Sequence, residues 1–217
     1  MIITIDGPSG TGKTTVAKAL AKKLHYDYFD TGAMYRAVSY GLLQKGISCQ
    51  DEKALSDFLE HFDLKMEETE QGRQYLLNGQ NVTKQIRSLE VTAYVSEVAA
   101  KPIVRAHLVK IQKAFAQARD TVFEGRDMGT VVFPKADLKI FLTARPEVRA
   151  FRRYLELATK VSREKILNEI EKRDQADSNR EHSPLRQAED AYLIDTSELN
   201  LEEIVDTIMR LFDGKNL

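Results

Sequence analysis

A three-layer α/β/α fold on a mostly parallel, five-stranded sheet follows from three features of the chain. It opens on a β-branched run, Ile2-Ile3-Thr4-Ile5, that passes through a glycine loop into apolar residues at helical spacing (Val16, Ala17, Leu20, Ala21, Leu24). Four more strand-like runs alternate with helical patterns further on, the order expected of a parallel sheet flanked by helices. The length of 217 residues suits a single domain, 1–217, with a full core and a small insert.

The loop after the first strand is Gly7-Pro8-Ser9-Gly10-Thr11-Gly12-Lys13-Thr14, followed by Thr15. It matches G-x-x-x-x-G-K-[ST], and the strand before it and helix after it are the context that gives this motif meaning. The glycines let backbone N–H groups turn inward, and the positive end of the following helix adds to the anion site they form. Lys13 can reach the β- and γ-phosphates, and the Thr14 hydroxyl can ligate Mg²⁺. The P-loop, Gly7 to Thr15, is therefore expected to bind ATP.

Tyr26-Asp27-Tyr28-Phe29 reads as the second strand, ending at Asp30-Thr31-Gly32. Asp30 or Thr31 caps a helix from Ala33 to about Gln44 that Gly46 closes. Asp51 opens an amphipathic helix with Ala54, Leu55, Phe58 and Leu59 on one face. From about 62 to 93 the texture becomes β-rich: Leu64-Lys65-Met66 and Tyr75-Leu76-Leu77 flank a polar turn from Glu67 to Gly72, and Asn78-Gly79 signals a hairpin. We read this stretch as an insert. Helical patterning returns from Glu90 to Ala118, broken at Pro102. Thr121-Val122-Phe123-Glu124 is a strand with Gly125-Arg126-Asp127-Met128-Gly129-Thr130 at its C-terminal end, the edge where open α/β sheets bind ligands. Leu138 to Leu142 forms the next strand, and Pro146 begins a helix carrying Arg149, Arg152 and Arg153. Ser162 caps a further helix through Arg173, and Tyr192-Leu193-Ile194-Asp195 is the last strand. Asn200 and Glu203 form a capping box for the final helix.

Composition narrows the class. Hydrophobic residues at 42% and charged residues at 30% describe a soluble globular chain, with no apolar run long enough to span a membrane. A net charge of -1 gives no bulk attraction to a nucleic-acid polymer. The one cysteine, Cys49, excludes an internal disulfide and a multi-cysteine zinc site, and is expected to be an incidental thiol. No basic, apolar leader precedes the first strand, so a cytoplasmic location is expected. The four histidines and Tyr26, Tyr28, Tyr40 and Tyr154 have no ligand spacing and are expected to be structural.

A phosphate cradle does not say what is done with the phosphate. Guanine-reading N-K-x-D and the switch D-x-x-G are absent, which argues against a GTPase switch, and a motor or transporter ATPase needs more chain. A compact kinase for a small acceptor remains. Arg36, Arg105, Arg126, Arg173 and Arg180 sit at expected helix starts, strand ends or breaks, and guanidinium forks suit phosphate oxygens. Any one of them alone is most simply a solvated side chain. Together they point to an anionic acceptor. A phosphate acceptor is already ionised near neutral pH, so positioning and charge neutralisation suffice and no catalytic base is needed.

Several blocks resemble bacterial cytidylate kinases almost end to end: Gly7 to Thr15, Asp30 to Arg36, Val95-Ser96 with Pro102 to Arg105, and Glu124 to Pro134. Arg173-Asp174 with Asp177 and Arg180, Glu189-Asp190-Ala191, and Ile194-Asp195-Thr196 complete the resemblance. It implies transfer of the ATP γ-phosphoryl group to CMP or dCMP by a monomer that acts on small molecules. It also implies a nucleoside-monophosphate side enlarged by an insert at 62–93 and a helical lid at 146–165. Asp127 resembles the carboxylate that accepts from cytosine N4, and Ser96 and Arg105 those that address the acceptor edge. Arg36, Arg126 and Arg173 resemble the acceptor-phosphate clamp, with Lys13, Arg126 and Arg173 catalytic. Asp177 resembles the sugar ligand, with Arg180 nearby and Thr31 and Tyr35 lining the site. Arg173, Asp177 and Arg180 are expected on one helix face, a spacing that an intrahelical ion pair would also explain. Arg149, Arg152 and Arg153 share a face and resemble lid arginines, Arg152 and Arg153 among the catalytic set; Arg145 and Arg163 are alternatives. Thr31 stands where serine is frequent in the family, and Lys113 where arginine is. Kinases for UMP or shikimate and a non-catalytic nucleotide-binding regulator are the rival readings.

Overall fold

The structure is a computed structural model that describes residues 1–70, 72–157 and 161–215. Gln71, in the expected polar turn, and residues 158–160, in the expected lid, lie outside the described residues. The chain divides into two compact units, Met1–Asp30 with Ala114–Leu217, and Thr31–Lys113.

The first unit holds a five-stranded sheet. Its strands are β1 (Ile2–Asp6), β2 (Asp27–Asp30), β6 (Thr121–Gly125), β7 (Leu138–Thr143) and β8 (Tyr192–Asp195), in the order β2-β6-β1-β7-β8. Every pairing is parallel. The second strand starts one residue later than its sequence suggests, because the Tyr26 N–H is spent on Ala21 O, closing the helix α1 (Lys13–Leu24).

Side-chain alternation divides the two faces. Ile3, Ile5, Tyr28, Val122, Ile140 and Ile194 pack with Val16, Ala17 and Leu20 of α1 and with Ile204, Val205 and Ile208 of α8 (Leu201–Lys215). The capping box of α8 forms as read: Asn200 N donates to Glu203 Oε2 at 2.8 Å, and Glu203 N to Asn200 Oδ1 at 3.0 Å. On the other face Phe29, Phe115, Phe123 and Phe133 stack with ring centroids 4.4 to 6.4 Å apart. Thr4 and Asp6 point to this second face by the same alternation. Helices α6 (Pro146–Leu157) and α7 (Arg163–Ser178) pack together through Ala150, Ile166 and Ile170. Ser162 caps α7, accepting from Lys165 N at 3.3 Å.

The second unit contains α2 (Thr31–Lys45), α3 (Glu52–Glu60), an antiparallel sheet of β3 (Leu64–Thr69), β4 (Gly72–Leu77) and β5 (Gln80–Asn81), then α4 (Leu89–Ala99) and most of α5 (Pro102–Ala116). Asp51 caps α3, accepting from Ala54 N at 3.0 Å. Asn78 and Gly79 have φ of 48° and 81°, the two left-handed residues of a tight primed turn between β4 and β5. Strand β3 runs through Thr69 and β4 begins at Gly72, so both strands take in residues that the sequence assigns to the polar turn; Glu68 pairs across to Arg73. Residues 82–93 contribute no strand, but a 3₁₀ turn, Gln85–Arg87, and the start of α4, capped by Ser88.

Candidate active site

Strand β1 delivers Asp6 to the sheet's C-terminal edge, and the chain turns at Gly7 with φ of +147°; a Cβ there would lie 2.1 Å from Leu142 O, so no side chain fits. Gly12, left-handed, precedes Lys13 at the start of α1, with no side-chain cap and no acidic residue in the first turn. The helix start therefore carries no cap or acid of its own against its positive end, which suits an anion site. Lys13 is buried, and its Nζ donates to Pro8 O at 2.5 Å. Burial, then the guanidinium groups of Arg126 and Arg173, pull the Lys13 ammonium well below the usual lysine range, against Glu124 and Asp174. Lys13, Arg126 and Arg173 are thus near enough for their charges to act on one another.

Beneath it Glu124, at the end of β6, is buried. It accepts from Thr14 Oγ1 at 3.0 Å and from the Tyr28 hydroxyl. Burial and Asp30 raise its carboxyl, while the Tyr28 bond, Lys13 and the Thr14 bond oppose the rise. Sequence reasoning named Thr14 alone for Mg²⁺ and missed Glu124; the available signal was an acid closing an apolar strand just before Gly125. A hydroxyl beside a carboxylate is a hard-oxygen pair that fits Mg²⁺, which keeps water and substrate phosphates as its other ligands. No cluster of three acidic, histidine or cysteine side chains able to hold a metal occurs among the described residues.

Asp6 was also missed. Its Oδ1 accepts from Met128 N at 2.9 Å and its Oδ2 from Gly129 N at 2.7 Å, which ties the corner after Arg126-Asp127 to the strand leading into the glycine loop. Met128–Val132 forms a π-helical turn there, and Asp127, buried, lies close enough to influence Asp6. Burial raises the Asp6 carboxyl from 3.8 to about 6; the Gly129 and Met128 N–H bonds oppose it and Asp127 adds to it. Asp6 therefore binds a proton more tightly folded than unfolded. Its contribution to stability is greatest below pH 3.8 and is lost as pH rises through about 6, by on the order of 3 kcal/mol. Urea unfolding of the wild type and Asp6→Asn at pH 4, 5 and 7 should show the wild type losing ground to the variant as pH rises; a pH-independent difference would contradict the raised value.

Asp177, fully buried, accepts from Arg126 Nε at 2.9 Å and pairs with Arg180. Burial alone would raise its carboxyl, but Arg126, Arg180 and Arg173 hold it below the usual range. The expectation of one helix face for Arg173, Asp177 and Arg180 is corrected: α7 ends at Ser178 with Asn179 as its C-cap, and Arg180 reaches back from beyond it. The ion pair that the spacing allowed is present nonetheless.

Arg152 and Arg153 are engaged by other partners. Arg152 donates to Thr196 Oγ1 at 2.9 Å and Thr196 O at 2.5 Å, and the Thr196 hydroxyl donates in turn to Thr11 O at 3.1 Å. Arg153 pairs with Glu156 on its own helix at 3.0 Å. Arg149 is buried against Ser9 and Asp174. Of the alternatives, Arg145 pairs with Glu198, and Arg163 lies over the Phe151 ring.

In the second unit Thr31 begins α2, buried, and Tyr35 and Arg36 follow in the same helix. The Arg105 guanidinium lies 5.6 Å from the Tyr35 ring centre and donates to Ala99 O at 3.4 Å. Ser96 lies on α4, half-buried. Cys49 is a buried thiol that donates to Glu97 Oε1 at 3.2 Å; burial raises it, as suits an inert side chain.

Comparison with known proteins shows the family. The model of the cytidylate kinase family matches residues 3–214. The cytidylate kinase of Protochlamydia amoebophila is 50% identical over 98% of this chain and 96% of its own. That of Bacillus subtilis is 44% identical over 99% and 97%. Among solved structures, a shikimate kinase from Bacteroides thetaiotaomicron superposes with a TM-score of 0.50 at 14% identity, covering 98% of each chain, a likeness of fold alone.

Proposed function

This chain belongs to the cytidylate kinase family, and from that premise we propose how its residues divide the work. It is an ATP-dependent kinase that transfers the γ-phosphoryl group to CMP or dCMP, giving CDP or dCDP and ADP. The observation that carries the assignment of roles is the pairing of β1 with β6, which sets Gly125 opposite Asp6 and so brings Arg126, held by Asp177, beside the strand that feeds the glycine loop and Lys13.

The backbone of Gly7 to Thr15 holds the triphosphate, and Lys13 neutralises charge on its β- and γ-oxygens. Thr14 and Glu124 would hold Mg²⁺, which when bound supplies further neutralisation at those oxygens. Arg126 and Arg173 draw the acceptor phosphate into the same field, with Arg36 assigned to that phosphate by its resemblance. An ionised oxygen of CMP then attacks the γ-phosphorus while the bond to the β-bridging oxygen breaks and ADP leaves. No side chain need take a proton, because the attacking oxygen carries none near neutral pH. Asp127 accepts from cytosine N4, and uracil offers it only an oxygen. Ser96 and Arg105 address the rest of the base edge, with Thr31 and Tyr35 beside them. Asp177 accepts from the sugar hydroxyl, with Arg180 beside it. Arg152 and Arg153 belong to a lid on α6 that closes over the triphosphate, leaving their present partners. Its resemblance to the family assigns it as a monomer, and a lone cysteine suits a reducing cytoplasm. No helix of the described residues is long and apolar enough to cross a membrane.

Release of ADP, coupled to a spectroscopic reporter, with CMP, dCMP, UMP, AMP and shikimate in turn tests this reading. CMP and dCMP should be preferred. Preference for UMP, AMP or shikimate would overturn the Asp127 assignment, and no acceptor-dependent release would leave only a nucleotide binder.

A further inference from the structure

We propose that Arg149 and Asp174 act together as a positioning pair that holds the glycine loop in its phosphate-binding shape and keeps Arg173 in register with it, resting on the kinase reading for which nucleotide is held. Asp174 Oδ1 accepts from Ser9 N at 3.0 Å, and its Oδ2 pairs with Arg149 Nη1. The same Arg149 nitrogen donates to Ser9 O at 3.1 Å, and Arg149 Nε donates to Ala144 O at 2.9 Å. Both backbone polar groups of Ser9, in the middle of the loop, are therefore taken by one ion pair.

Packing says the same. Gly10 has φ of +76°, and a Cβ on it would stand 3.0 Å from Arg149 Cβ and 3.1 Å from Arg149 O, so the loop lies directly against α6 at this residue. The two charged side chains are 7% and 16% exposed, so removing either charge leaves the other poorly solvated. Asp174 directly follows Arg173, and anchoring it fixes the turn of α7 from which Arg173 projects. Asp174 also supports the Lys13 ammonium against its neighbouring guanidinium groups. Arg149 resembles an arginine that touches the triphosphate, but its Nε and Nη1 are engaged by the scaffold and by Asp174. It acts through the loop.

Arg149→Lys, Asp174→Asn and the double variant test the pair. The readouts are KM for ATP and for CMP, kcat, and dissociation of a fluorescent ATP analogue without turnover. Each single change should raise the ATP KM and the analogue's dissociation constant about tenfold, with a smaller rise of about threefold in the CMP KM as Arg173 shifts. The double variant should be no worse than the poorer single, since each residue works through the other. Losses that multiply, an equal rise in both KM values, or a collapse of kcat in Arg149→Lys with Asp174→Asn unaffected would overturn the pair. Arg149→Lys keeps a cation beside Asp174 and carries the test should Asp174→Asn fold poorly. If the wild type fails to phosphorylate CMP yet both variants weaken analogue binding, the kinase reading falls and the positioning pair stands.

Discussion

Lys13→Ala should lower kcat for CMP phosphorylation roughly 100- to 1,000-fold or more, the cost of removing a preorganised group aimed at developing charge. The loss should come without loss of stability. Burial and two guanidinium neighbours disfavour the Lys13 ammonium in the folded protein, so a neutral side chain relieves repulsion there. Bound phosphates reverse that balance by placing negative charge against these cations. Calorimetric unfolding alongside single-turnover transfer separates the two effects: the variant should melt at or above the wild-type temperature without nucleotide and should gain less from added ATP. A fall in melting temperature that parallels the loss of activity would make Lys13 a structural residue.

Asp127→Ala should act on choice of base. A carboxylate reading an exocyclic amine discriminates by about 1–3 kcal/mol, so the ratio of kcat/KM for CMP over UMP should shrink by about 5- to 150-fold. Most of that loss should fall on CMP, with UMP improving slightly as a like-charged contact disappears. Asp127 also raises the Asp6 carboxyl, so the same substitution should shift Asp6 downward from about 6, a change that NMR titration reads without substrate. An unchanged base preference would refute the assignment of Asp127, and an unmoved Asp6 would refute the proximity.

The two substitutions probe one corner from opposite sides. Asp6 accepts the N–H groups of Met128 and Gly129, so the corner that carries Arg126 and Asp127 is hung from the strand that feeds the glycine loop. Such a link keeps the corner of Arg126 and Asp127 in fixed relation to the glycine loop, which the proposed division of roles needs. Asp177 sets Arg126 from the other direction, and its ion pairs hold the guanidinium ready without water having to reorganise.

What the residue order determined by itself was whatever short-range sterics and hydrogen bonding specify. The strand–loop–helix at the start, the Asp51 and Ser162 caps, the Asn200–Glu203 box and the Asn78-Gly79 turn all formed where they were read, because each is settled within a few bonds of chain. The limits of local reading show at α7, where the helix read through Arg173 runs on to Ser178 yet stops short of Arg180, whose spacing predicts the same face. Only the tertiary structure decided which charges meet. Thr14 finds Glu124 across 110 residues, Asp6 finds Met128 across 122, and Ser9 finds Asp174 across 165. The first two follow from the parallel pairing of β1 with β6, which sets distant strand ends side by side at one edge of the sheet, and the third from α7 lying against the loop. A carboxylate's role depends on burial and on the cations it faces, and neither is encoded in its immediate neighbours along the chain.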